Sequence, residues 1–291
     1  MSEPHGPDPT IPRRRLRSEL RKAREAANMS QRDVAAAMDW SASKLIRIES
    51  GAVNISTNDL RALLHHYGIE GDRIATLVEL ARAARGQTPW AIYRDVASPE
   101  YIAFLGYESS ASVIRNFEPM LVPGLLQTED YARTVIRLLE GDDPRKVDPL
   151  VDLRMQRQEL LERRTSPSLN FIMDESVIRR VAGGQEIMRR QLRKIQMCSE
   201  YPNVTIRIVP FERGLYAHQR APYVLLEFPD PEDGDILYVE NPQGEYIIRE
   251  GSPEEEDRES PVSYLASFWE LEQIASREHA SDLLWRLLTE D

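Results

Sequence analysis

The stretch Ser30–Gly51, Ser-Gln-Arg-Asp-Val-Ala-Ala-Ala-Met-Asp-Trp-Ser-Ala-Ser-Lys-Leu-Ile-Arg-Ile-Glu-Ser-Gly, constrains the fold more than any other part of the sequence. It divides into two short amphipathic helices joined by a tight turn. Ser30 is placed to cap the first, with Asp33 three residues on as a weak capping-box partner. Val34, Ala35 and Met38 recur at helical spacing and give that helix one apolar face. The turn falls at Asp39-Trp40, and Ser41 is placed to cap the second helix. Leu45 and Ile48 form its buried seam, which leaves Ala42, Ser43, Lys44, Ile46 and Arg47 on other faces. Gly51 supplies the C-terminal stop. The small side chain of Ala35 lets the two helices cross closely. A bracing helix followed by one that presents small polar and basic side chains is how a helix-turn-helix is built.

These residues resemble the Xre type, the lambda-repressor-like class of helix-turn-helix DNA-binding domains, over about Leu16–Tyr67. Gln31 stands where that class often opens its first motif helix, and Ala35 stands at the small crossing position. Ile48-Glu49-Ser50-Gly51 matches the pattern that follows the recognition helix. The resemblance implies a structural pair between Arg24 and Glu49, tying the first helix to the end of the third. One departure is visible: Asp39 holds the turn position where Gly is usual. Asp tolerates left-handed backbone angles, so the turn is expected to survive with some strain.

The chain of 291 residues exceeds such a module several-fold, so further domains are expected. With 41% hydrophobic and 29% charged residues the composition is that of an ordinary soluble protein. No apolar run approaches the ~18–20 residues of a membrane span. No apolar stretch follows the N-terminal charges as a secretion signal would require, so a cytoplasmic, nucleoid-associated protein is expected. The single cysteine, Cys198, excludes an internal disulfide framework and a cysteine-based zinc cluster.

The net charge of −11 runs against DNA binding until it is divided along the chain. Residues 1–86 hold 14 Lys/Arg against 11 Asp/Glu, and the remainder holds 23 against 37. Basic charge concentrates in Arg13–Arg24, with seven positive residues against Glu19 alone. An acidic body repels a phosphate backbone and a basic head attracts it, so contact with nucleic acid is expected to be confined to the head.

In chain order, the proline-rich residues 1–12 read as a disordered arm. Arg13, Arg14 and Arg15 are placed to extend it across a phosphate or into a minor groove. Residues 13–86 form the helix-turn-helix domain, with helices over Leu16–Ala27, the two motif helices, a fourth from Thr57 or Asn58 to Tyr67, and a fifth over Gly71–Arg85. Gly86-Gln-Thr-Pro89 marks the boundary. Helices are expected over Glu100–Asn116, Thr128–Glu140 and Asp148–Arg164. Between the first two, Pro119 and Pro123 force an apolar run into extended, buried form. Strands are expected at Ser168–Met173, Val204–Pro210, Ala221–Phe228, Ile236–Glu240 and Glu245–Ile248, the last two joined by a hairpin turn at Asn241-Pro-Gln-Gly244. Helices Glu175–Ala182 and Gln185–Glu200 fall between strands. Pro253–Glu259 reads as acidic and exposed, and two helices, Pro261–Arg277 and His279–Thr289, close the chain. Residues 87–291 are thus read as an α+β domain with a mostly antiparallel sheet, serving regulation and dimerisation.

A second resemblance lies in this larger part. Phe117-Glu-Pro-Met-Leu-Val-Pro-Gly-Leu-Leu-Gln-Thr-Glu-Asp-Tyr-Ala, Arg154-Met-Gln-Arg-Gln, Met173-Asp-Glu, Gly183-Gly with Gln191-Leu, and Val209-Pro210-Phe211 are similar to one group of actinobacterial regulators. Its members join an Xre-type head to a large C-terminal domain without assigned chemistry. Some are described as antitoxin-like, with a gene for a small partner protein nearby. The resemblance supplies no ligand and no reaction.

Ala42, Ser43, Lys44 and Arg47 are the candidates for contact with double-stranded DNA. Arg forks onto guanine O6 and N7, Ser bonds several base edges, and Ala or Ile46 touches a thymine methyl. Ser41 and Gln31, near helix N-termini, suit phosphate contacts. His65 and His66 are adjacent on a helix and point about 100° apart, so they make no two-ligand metal face. Asp174, Glu175, Glu227, Glu240 and His218 are the residues an acid–base enzyme would use. No nucleophile motif, phosphate loop or metal spacing accompanies them, so no enzyme, metal or cofactor is expected. Trp90, Tyr93, Tyr101 and Tyr107 read as core before pocket, and Trp269 and Trp285 as core or dimer seam. The expected protein is a repressor-like regulator that binds pseudo-palindromic DNA as a homodimer. Its C-terminal domain would sense a small-molecule effector or a partner protein. The alternative is an antitoxin-like module that sequesters a small partner, with DNA binding serving autoregulation.

Overall fold

Two patterns of apolar residues, one helical and one strand-like, build two compact units, residues 1–91 and 92–291. The structure, a computed structural model, describes residues 8–162, 166–217, 219, 221–241, 243–249 and 260–289. The expected acidic stretch Pro253–Glu259, His218 and the first seven residues of the expected arm lie outside them.

The head is all helical: α1 (Thr10–Ala26), α2 (Gln31–Ala37), α3 (Ala42–Ser50), α4 (Thr57–His66) and α5 (Asp72–Ala83). Their apolar faces meet in one core that includes Leu20, Val34, Leu45, Leu60, Leu63, Leu64 and Leu77. Helix starts are set by side-chain caps. Ser30, Ser41 and Ser56 accept from the backbone N–H of Asp33, Lys44 and Asp59. Gly51, at φ 75°, closes α3.

The start of α1 corrects one expectation. The helix begins at Thr10, inside the segment read as a disordered arm, because Pro12 falls in its first turn, where no backbone donor is needed. Asp8 accepts from Thr10 N and from Thr88 Oγ1, both at 2.9 Å, and Pro9 is buried.

The body carries a six-stranded mixed sheet in the order β3-β2-β1-β4-β5-β6. The strands are β1 (Val113–Glu118), β2 (Ser168–Asp174), β3 (Val204–Val209), β4 (Tyr223–Glu227), β5 (Ile236–Asn241) and β6 (Gly244–Arg249). The ladders from β1 through β4 and β5 to β6 are antiparallel, while β1–β2 and β2–β3 are parallel. The helices are α6 (Pro99–Glu108), α7 (Glu129–Glu140), α8 (Pro144–Arg157), α9 (Glu175–Arg179), α10 (Gln185–Ser199), α11 (Pro261–Ile274) and α12 (Arg277–Thr289). One sheet face, with Phe117, Ile172, Tyr223, Leu225 and Leu237, packs on Phe268 and Leu271 of α11. The other face meets α6, where Phe104 stacks on Tyr238 at 4.1 Å. Among the described residues no helix is long and apolar enough to cross a membrane.

The helix expected over Glu100–Asn116 is two elements. It stops at Glu108, and Val113–Glu118 becomes β1 in the middle of the sheet, its β-branched residues suiting a pleated, buried surface. The segment Pro119–Thr128 is buried as expected at Val122, Leu125 and Leu126, but it contains a 3₁₀ turn at Gly124–Leu126. Side chains satisfy its carbonyls. Gln127 Nε2 donates to Val122 O at 2.7 Å, and Gln158 Nε2 to Gly124 O at 2.9 Å and Gln127 O at 2.7 Å. Gln191 Nε2 donates to Leu126 O at 2.7 Å. Buried backbone acceptors need partners, and here amide side chains replace a ladder.

Candidate nucleic-acid interface

The two helices α2 and α3 form the candidate site. Their turn depends on Asp39, whose φ of 54° is in the left-handed region. Asp39 N donates to Ala36 O at 3.2 Å and Trp40 N to Ala35 O at 2.8 Å, so the end of α2 is closed by the turn itself. Ala35 is buried at the crossing. Behind α3, Leu45 and Ile48 sink into the head core. Ser41, Ala42, Ser43, Ile46 and Arg47 stay exposed on it.

A charged network fixes the C-terminal half of α3. Arg24 donates from Nε to Glu49 Oε1 at 2.7 Å and from Nη2 to Glu49 Oε2 at 3.1 Å. A third donor, Gln31 Nε2, reaches Glu49 Oε2 at 2.8 Å. Arg24 Nη1 also donates to Met29 O at 3.1 Å. Glu49 is only 2% exposed, so its charge depends on these partners. The hydrogen bond to Glu49 is the main reason the Arg24 guanidinium holds its proton more tightly than usual. The Ser30 hydroxyl and backbone lower the Asp33 carboxyl in turn, as a closed capping box should.

Three of the expected DNA contacts have other work in this structure. Arg13 lies in α1, not on an arm, and its Nε donates to Ala84 O at 2.8 Å and its Nη2 to Gly86 O at 2.6 Å. It therefore caps the end of α5. Lys44 pairs with Asp59 Oδ2 at 3.0 Å and sits 3.9 Å from the centroid of the Trp40 ring, so its charge is shared before any phosphate arrives. Gln31 belongs to the Glu49 network. Arg14 and Arg15 are half-buried along α1. Arg47 remains: it is exposed and makes no side-chain hydrogen bond or ion pair among the described residues. Sequence reading missed Asp59 and Trp40 as partners of Lys44, and Arg17, whose guanidinium lies where a Cβ on Gly51 would stand. The Lys44–Asp59 contact joins two helices and leaves no mark in local spacing.

The carboxylates considered for acid–base chemistry are not gathered together. Glu227 ends β4 opposite Val113, at the other end of the sheet from Glu175, and pairs with Arg115 at 2.8 Å. Glu240 accepts from Tyr238 O–H at 2.8 Å. Asp174 caps α9 and accepts from Tyr216 O–H at 2.9 Å. Glu175 instead meets His279, with Nε2 and Oε2 3.1 Å apart, a partner that sequence reading did not consider. Burial works to raise the Glu175 carboxyl, but Phe211 N–H, Arg179 and His279 together hold it below the usual range.

Comparison with known proteins adds two matches. A family model described as a helix-turn-helix domain matches residues 15–77. A second, described as a domain of unknown function, DUF5753, matches residues 101–278. No curated protein and no solved structure matches the chain. Neither description names a partner protein or an effector.

Proposed function

Because the chain belongs to the DUF5753 family and carries a helix-turn-helix domain ahead of that region, we propose that it is a sequence-specific transcriptional regulator of the Xre type. The observation that carries this reading is the exposed face Ser41, Ala42, Ser43, Ile46 and Arg47 on a helix held from behind by Leu45, Ile48 and the Glu49 network. α3 enters the major groove with its first turn foremost. Arg47 reads a guanine edge, and Ala42, Ser43 and Ile46 contact neighbouring bases. Ser41 and Gln31 face phosphates, while Arg14, Arg15 and Lys44 add basic charge near the backbone. The protein acts as a dimer on a pseudo-palindrome with half-sites ~34 Å apart, and residues 92–291 provide the dimer surface and the response to an effector or partner.

Genome-wide mapping of bound sites followed by binding to the recovered sequence tests this. Arg47→Ala is expected to weaken binding by about 1–3 kcal/mol and to relax preference at one base pair of each half-site, with the fold unchanged. Unchanged affinity and base preference would show that α3 is not the reading helix. A recovered site without two-fold symmetry would remove the dimer.

A further inference from the structure

We propose that the body carries a binding site for one divalent transition-metal ion of the zinc class, formed by Glu175, Glu212 and His279. Each offers a ligand atom, and the three atoms lie within 4.8 Å of one another. The residues come from three elements. Glu175 opens α9 directly after β2, Glu212 lies in the 3₁₀ turn Phe211–Arg213 after β3, and His279 sits in the first turn of α12. The backbone brings them together without help from an ion. Ile208 of β3 and Ser276 exchange two N–H···O bonds at 3.1 and 3.0 Å, which fixes the start of α12 against the sheet edge. His279 N then donates to Ser276 Oγ at 3.0 Å.

The buried carboxylate is oriented as a ligand. Glu175 Oε2 accepts from Phe211 N at 2.9 Å, and Oε1 accepts from Arg179 Nε at 2.5 Å. A carboxylate has about four lone-pair sites, so these two donors fix it in place and leave acceptor capacity on the side facing His279. Such outer contacts are what orient metal-ligating carboxylates. One imidazole nitrogen and two carboxylate oxygens suit zinc, with water completing four-coordination. Glu212 is exposed and the His279 side chain is 22% exposed, so an ion reaches the site from solvent. On binding, His279 Nε2 gives up its hydrogen bond to Glu175 and ligates as the neutral imidazole. The ion would then tie the ends of β2 and β3 to α12.

The test is calorimetric titration of Zn²⁺ into the full-length chain, stripped of metal by chelator at pH 7. One ion per chain is expected to bind, with an accompanying rise in the thermal transition. Glu212→Gln, at an exposed position, and His279→Ala should each weaken binding about tenfold or more and abolish the thermal shift. His65→Ala with His66→Ala should change neither. The proposal is overturned if no stoichiometric site appears, or if both Glu212→Gln and His279→Ala bind Zn²⁺ as tightly as the parent. Should His279→Ala fail to fold, Glu212→Gln alone decides the matter.

Discussion

Head and body each contain an arginine that grips a glutamate with two hydrogen bonds, and the surroundings differ. In the head, Arg24 holds Glu49 and Gln31 adds a third donor, right beside the exposed face of α3. In the body, Arg157 of α8 grips Glu108 of α6 at 2.6 and 2.7 Å, donates to Tyr101 Oη at 2.9 Å, and lies 5.1 Å from the Phe104 ring. The Arg157 and Glu108 side chains are 8% and 3% exposed, against 12% and 2% for Arg24 and Glu49. The same chemistry thus aims a surface helix in one unit and locks two helices together in the other. A charge buried this deeply is costly once its partner is gone, whichever unit holds it.

That contrast can be broken experimentally. Arg157→Ala leaves Glu108 unpaired beneath aromatic cover and is expected to cost about 3–5 kcal/mol, read as a lower urea midpoint for the body. An effect under about 1 kcal/mol would mean the body's pair is not a lock. Arg24→Ala should cost less, about 2–3 kcal/mol, because Gln31 still serves Glu49, and it should weaken DNA binding more than it weakens the fold. If stability and DNA affinity fall in step, the pair braces the head without aiming α3.

A subtler difference concerns pH. Glu118, at the end of β1, is pushed up to about 8, by burial first and by Glu240 second. The folded body then keeps a proton that the unfolded chain releases near its ordinary value of 4.5, so stability falls as pH rises from about 4.5 to about 8. Glu118→Gln mimics the protonated form and should flatten that slope, with a melting temperature roughly 10 °C above the parent at pH 9 and near equality at pH 4. Equal slopes would place the Glu118 charge in solvent. Smallest of all, Lys44→Ala should change head stability by about 0.5 kcal/mol or less, since its pair with Asp59 is partly exposed.

Much of the head was legible because its signals are local. Ser30, Ser41 and Gly51 delimit α2 and α3 within a few residues of where each acts, and Asp39 takes the left-handed angle that its place in the turn demands. The body was legible in its outer strands and long helices, and less so at its centre. No Gly or Pro separates β1 from the helix before it, only a serine-rich link with Ser109, Ser110 and Ser112, and its partners lie far along the chain. The same distance hid His279, which stands 104 residues from Glu175. Arg13 was misread because a run of arginines after prolines looks like an arm, and only the carbonyls at the end of α5 show what the first of them does.

The position of β1 also governs how the two units fold. Val113 pairs with Ser168 on one side and Glu227 on the other, so the central strand gains a neighbour only after long loops have closed. Sequence separation between partners is therefore longer in the body than in the head, where α2 packs on α3 and α4 on α5, although α1 also closes onto α3 and α5. The head, smaller and all-helical, should fold faster than the body. During synthesis the head emerges first and can be complete while the body lacks its last strands. For that interval a finished α3 exists without the larger unit that follows it.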